Sequence, residues 1–120
     1  MDKSEFDRER RRQRRLEKLG TDDPHCAGCG TGDDRMLELH HIAGRKHDDT
    51  LVIVCGNCHQ VLSDDQRDHP KARLGADPFL VAVGNFLLGL ADMLRLIVER
   101  LAEFGTALID HGTMNKEAVQ

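Results

Sequence analysis

Apolar and polar positions divide the chain into three regimes. From Asp2 to Leu19 nearly every residue is polar or charged and most are strong helix formers, with Gly20 closing the run. Ser4 with Asp7 three residues on predicts the helix's N-terminal cap. From about His25 to Pro70 the apolar segments are short: Met36 to Leu39, then Leu51 to Val54, the second β-branched enough for a buried strand. A segment from near Asn57, carrying Val61, Leu62 and Gln66, reads as a short helix ending before Pro70. Beyond a Pro70 to Pro78 connection, Leu80, Val83, Leu87, Leu90, Leu94, Ile97, Leu101, Phe104 and Leu108 alternate steps of three and four over four heptads. That is a coiled-coil or helix-bundle seam. Asp92, Arg95, Glu99, Arg100 and Glu103 lie off it, as on a helix with one wet face. The division is therefore 1–20, 21–70 and 71–120. The seam is too extensive for the middle block to cover, so the last block is expected to make a homodimer or hold a protein partner. The alternative is a hairpin at Gly84 or Gly89, folded back on the first helix.

The 120 residues, 13.5 kDa, allow one compact unit with arms. Four Phe with no Trp or Tyr disfavour reading of single-stranded bases by stacking. The net charge of −4 conceals an asymmetry: residues 1–19 carry eight Lys/Arg against five Asp/Glu, residues 20–120 nine against sixteen. Helical spacing gathers Arg8, Arg11, Arg15 and Lys18 on one stripe, able to track a phosphate backbone without sequence preference or simply to be a solvated charged face. Phe79 to Ala91 is apolar apart from Asn85 but is shorter than the roughly 18–20 residues a membrane crossing needs, and extension brings in Asp92 and Arg95. A membrane role is not expected. No charged segment followed by an apolar one opens the chain, so a reducing cytoplasmic, or nucleoid-associated, location is expected. There, cysteines serve as metal ligands more often than as disulfides.

Cys26-Ala27-Gly28-Cys29 and Cys55-Gly56-Asn57-Cys58 are two C-x-x-C knuckles separated by 25 residues, the spacing of a four-cysteine structural Zn²⁺ site. A redox-active pair would need a βαβ context that is missing. Four of the seven histidines, His40, His41, His47 and His59, fall nearby. Adjacent histidines at a strand end point to opposite sides, so one can ligate an ion while its neighbour acts on a water. His59, next to the last cysteine, is anchored by the knuckle at a helix start. His69 reads as a helix-end residue, and His25 and His111 as surface residues.

Leu37-Glu38-Leu39-His40-His41-Ile42-Ala43-Gly44, followed by Val52-Ile53-Val54-Cys55-Gly56-Asn57-Cys58-His59-Gln60, resembles the HNH nuclease motif in its zinc-knuckle form. The resemblance covers about Cys26 to His69. It implies an α+β fold: a small zinc-stabilised, treble-clef-like ββα-metal core, flanked here by the basic N-terminal helix and the long apolar C-terminal one. It implies that His40 and His59 ligate a catalytic divalent ion (Mg²⁺, Mn²⁺, Ni²⁺ or Zn²⁺), that His41 is the general base, and that the four cysteines hold structural zinc. One position departs. The pattern's middle asparagine braces the loop that carries the base, and no Asn lies between His41 and Cys55. Asp48, Asp49 or Thr50 can supply a substitute hydrogen bond, and Asp49 or His47 can add a metal ligand.

The expected function is thus a metal-dependent endonuclease or nickase acting on DNA, with the arginine stripe on phosphates. The alternative is a non-catalytic zinc module for nucleic-acid binding or assembly, its HNH site degenerate. A third reading makes the heptad helix the main element of an interaction protein.

Overall fold

The structure, a computed structural model, describes residues 1–119, with side chains through Met114; Gln120, the last residue of the third block, lies outside the described residues. It is α+β: helix α1 (Lys3–Leu19), a 3₁₀ turn (Asp34–Met36), strands β1 (Leu37–His41) and β2 (Leu51–Cys55), helix α2 (Gly56–Arg67) and helix α3 (Pro78–Val119). The strands pair antiparallel, Leu37 opposite Cys55 and His41 opposite Leu51. β1 therefore runs two residues further than the apolar pattern and takes in both histidines.

α1 is capped differently from the expectation. Asp2, not Ser4, accepts from the Glu5 amide at 2.8 Å, and the Glu5 carboxylate accepts in return from the Asp2 amide at 3.0 Å. This reciprocal box satisfies two helix-end donors and starts the helix before Ser4 can cap it. Gly20 closes it at φ +79°, where a side chain would be strained. Leu16 is buried and Leu19 packs on the core. Arg15 donates to Asp34 at 2.7 Å, which fastens α1 to the 3₁₀ turn.

The core is small: Leu37, Ile42, Val54, Leu62, Met93 and Leu96 packed with Cys26, Cys55 and Cys58. Met93 and Leu96 come from α3, so α3 roofs the ββα unit. Contact is close at Gly89, where a Cβ would overlap the Ile42 carbonyl oxygen and lie 2.7 Å from its carbon. Beside it, Asp92 is 3% exposed and is paired by His69 Nε2 at 2.6 Å and by Arg95. Asp92 is therefore not on a wet face. A carboxylate can be buried there because two cationic or hydrogen-bonding partners reach it. His69, one residue past the α2 cap, is what ties that helix end to α3.

α3 thus docks through its small and partly polar side and turns the heptad seam outward. It runs unbroken through Gly84 and Gly89, not as a hairpin. Leu80, Leu87, Leu94, Leu101 and Leu108, seven residues apart, are each more than half exposed. The radius of gyration is 19.3 Å, against about 14 Å for a compact chain of this length, because the far half of α3 projects from the core. By length and composition alone, Pro78–Met114 is long and apolar enough to cross a membrane, its most apolar 18-residue window having mean hydropathy 1.8.

Candidate metal centre and adjoining histidines

Four sulfurs converge where the two knuckles meet. The Sγ atoms of Cys26, Cys29, Cys55 and Cys58 all lie within 4.8 Å of one another, and those of Cys29 and Cys55 are 3.7 Å apart. That is far beyond a disulfide bond of about 2.05 Å. It matches the edge of a thiolate tetrahedron around Zn²⁺, about 3.8 Å for Zn–S bonds near 2.3 Å. The donor set and its spacing fit a structural metal such as zinc.

Local backbone geometry explains the convergence. The amides of Gly28 and Cys29 donate to Cys26 Sγ at 3.3 and 3.4 Å, and the Cys58 amide donates to Cys55 Sγ at 3.5 Å. The second knuckle is also the N-terminal cap of α2, with Cys55 as cap residue. Gly28 is required by packing: a Cβ there would meet Cys58 Sγ and Leu96 Cδ2, each at 2.9 Å. Burial raises the Cys26 thiol, but hydrogen bonds from the backbone of Cys55, Cys29 and Gly28 outweigh it and bring the group down to about 7. Cys58 is pushed well up, by burial first and by its neighbouring sulfurs next. Four crowded sulfurs cannot all ionise without a cation, so their full deprotonation would depend on a bound metal.

Because Cys55 begins α2, His59 stands in its first turn, beside β1. The His40 and His59 rings meet edge to face, centroids 5.1 Å apart at 71°. His40 is 2% exposed. Burial, then His59 and His41, drives its imidazole from 6.5 down to about 4, so it is neutral at physiological pH and able to bind a metal. Two residues to which the sequence pattern assigned no role complete the arrangement. Glu38 Oε2 lies 2.5 Å from His59 Nδ1, a carboxylate–histidine pair that fixes the ring and leaves Nε2 for a ligand. Gln66 donates its amide to the carbonyls of His41 at 2.8 Å and Ile42 at 3.2 Å, and reaches His40 Nε2 at 3.3 Å. It braces the chain just after the histidine pair from the helix side. Sequence signals existed for both: Glu38 shares a strand face with His40, and Gln66 follows His59 by seven residues, two helical turns.

Other expected members do not gather here. The cysteine quartet is the one cluster of three or more metal-ligating groups among the described residues, so neither His47 nor Asp49 completes a set around His40 and His59. His47 lines a separate cavity, and Asp49 is exposed. Asp48, one of the three candidates to replace the asparagine, accepts from the Thr50 amide at 3.2 Å and so braces only its own turn. Of the arginine stripe, Arg8, Arg11 and Lys18 are exposed, whereas Arg15 is occupied by Asp34. His25 and His111 are exposed, as expected.

Compared with known proteins, the chain matches no family model, no curated protein and no solved structure.

Proposed function

We propose that the chain is a small metal-dependent endonuclease or nickase of the HNH type, its treble-clef-like ββα-metal core held by structural zinc, which hydrolyses DNA phosphodiester bonds. The observation that carries this reading is the edge contact of His40 and His59 across β1 and α2, with Glu38 orienting one ring and His41 adjacent. A divalent ion held by these two rings would neutralise charge on the phosphate and assist the leaving oxygen. His41, half-exposed and turned by strand alternation away from His40, takes a proton from water as its oxygen bonds to phosphorus. The phosphorus–oxygen bond opposite breaks, and the departing alkoxide is protonated by solvent. Gln66 holds the main chain that carries the base, the task the missing asparagine performs in the resembled motif.

The open heptad seam of α3 pairs with a second copy of the chain in this reading. Five leucines at seven-residue spacing are the recognition pattern of a helix for its like. Val83, Leu90 and Phe104, also exposed, fill the alternating positions, so the apolar stripe is continuous along the helix. Pairing would bring two single-strand-cutting sites to one duplex.

The test is nicking of supercoiled plasmid by zinc-loaded protein with Mg²⁺, Mn²⁺, Ni²⁺ or added Zn²⁺. His41→Ala should lower the rate about 10²-fold or more while leaving the fold and the zinc intact. No cutting with any ion by folded, zinc-loaded protein would overturn the nuclease reading. The non-catalytic zinc module would then take its place, a reading favoured by the lack of a third ligand beside His40 and His59.

A further inference from the structure

Positive charge in the acidic body is not scattered. Residues 20–120 hold nine Lys/Arg, and five of them, Arg45, Lys46, Arg67, Lys71 and Arg73, line two adjoining cavities of about 580 and 620 Å³ that share Lys46, His47 and Ala72. None of the sixteen carboxylates of the same stretch lines either one. The loop after β1, turned by Gly44 at φ +90°, forms one wall, and the end of α2 with its connection to α3 forms the other. The cations are exposed; Arg67 alone reaches a carboxylate, Asp64 at 3.9 Å, and both side chains are solvated. Such a pair holds its arginine weakly.

From this juxtaposition we infer that the groove binds the phosphodiester backbone of a nucleic acid, Arg45, Lys46, Arg67 and Lys71 each neutralising a phosphate. The stripe on α1 is secondary. The choice of polymer rests on the nuclease reading above: Gln66 lines the groove and its amide touches His40, so the groove adjoins the histidine cluster through that one side chain. Anionic lipid fits less well. The groove meets α3 at Val81, Ala82 and Asn85, on the side of the helix away from the leucine seam, so a bilayer taking the seam would face away from the cations.

The experiment is fluorescence anisotropy of a labelled 20-base-pair DNA duplex with full-length, zinc-loaded protein, without added divalent ion, from 50 to 300 mM KCl. Each neutralised phosphate contributes about −0.9 to the slope of log affinity on log salt. Arg45→Gln/Lys46→Gln/Arg67→Gln/Lys71→Gln should flatten that slope by about 3 to 4 and weaken binding about 10²- to 10³-fold at 100 mM. Arg8→Gln/Arg11→Gln/Lys18→Gln should change it by about 1 at most. Single variants Lys46→Gln and Lys71→Gln, each flattening the slope by about 1, guard against a folding artefact in the fourfold change. An unchanged slope in the groove variants overturns the proposal. So does groove-dependent binding of phosphatidylserine vesicles or of pyrophosphate by protein that leaves the duplex unbound. Groove-dependent duplex binding without plasmid nicking supports the groove and sinks only the nuclease reading.

Discussion

Gly89→Ala tests the way α3 meets the core. The added methyl overlaps the Ile42 carbonyl oxygen, a backbone atom that no rotamer change can move aside. Relief requires α3 to withdraw, and withdrawal uncovers Met93 and Leu96, now 7% and 5% exposed. Burial of two such side chains is worth roughly 3–6 kcal/mol. Alanine also stabilises α3 as a helix, since replacing glycine inside a helix contributes about 1 kcal/mol. That gain is equal in the docked and free helix and does not rescue the contact. Partial accommodation by tilting keeps some burial, so the docking equilibrium should weaken by roughly 2–4 kcal/mol, about a 30- to 700-fold shift.

With no Trp or Tyr in the chain, tryptophan fluorescence cannot report this, and far-UV circular dichroism would register an undocked but intact α3 as unchanged. Hydrogen exchange read by mass spectrometry over α2 and the end of β1 does report it, because these amides lose their cover when α3 lifts. Their exchange should accelerate by the same factor of about 30 to 700. Gly84→Ala is the matched control: nothing lies within 4 Å of a Cβ there, so it brings the same helix propensity without the clash. It should leave α2 protection unchanged or slightly raised. Wild-type protection of α2 in Gly89→Ala would refute the docking described here and, with it, the burial of Asp92.

Two further outcomes follow from the same geometry. Cys55→Ser removes a sulfur of the quartet while keeping a hydroxyl that can still cap α2; the ββα unit should fail to retain zinc and lose its cooperative fold, since such a site contributes about 10 kcal/mol or more, and a folded, metal-free variant by NMR and elemental analysis would contradict the assignment. Leu94→Glu/Leu101→Glu alters two seam positions that are 54% and 64% exposed; sedimentation should find a dimer for the wild type and a monomer for the variant, with the core's hydrogen exchange unaltered, whereas equal masses would remove the second copy from the reading.

Much of the architecture was legible because its signals are local. Two knuckles, two short apolar runs and a heptad repeat give the element order directly, and the close grouping of the cysteines follows from their spacing. What escaped depends on long-range contact. Asp92 reads as solvent-facing because it lies off the heptad stripe among other charges, and its burial depends on His69, 23 residues earlier, acting with Arg95. Ser4 loses the cap to Asp2 because a carboxylate three residues before Glu5 forms the reciprocal box first. Glu38 and Gln66 had no role assigned by the sequence pattern, and their part is visible only when β1 and α2 are packed together. The groove cations come from two segments more than 20 residues apart, so no charge run in the sequence marks them.

The side of α3 that faces the core decides what the seam is for. A helix joined to a small domain ordinarily buries its most apolar stripe. Here the docked side carries Gly89, Asp92 and Arg100 along with Met93 and Leu96, and the leucines face out. The five leucines of the seam are 54% to 72% exposed, so most of their transfer free energy is left uncaptured by the fold of one chain. Lipid could satisfy the leucines, but spanning by the most apolar stretch, residues 79–98, would carry Arg95 into hydrocarbon, where a charge costs about 2.5–3.5 kcal/mol or more, and would draw Asp92 away from His69. A second helix on the seam would leave Arg95 in water and Asp92 in place. The polar contacts at Asp92 and the glycine at 89 hold α3 by its weaker side, which leaves the stronger side open for the pairing proposed above.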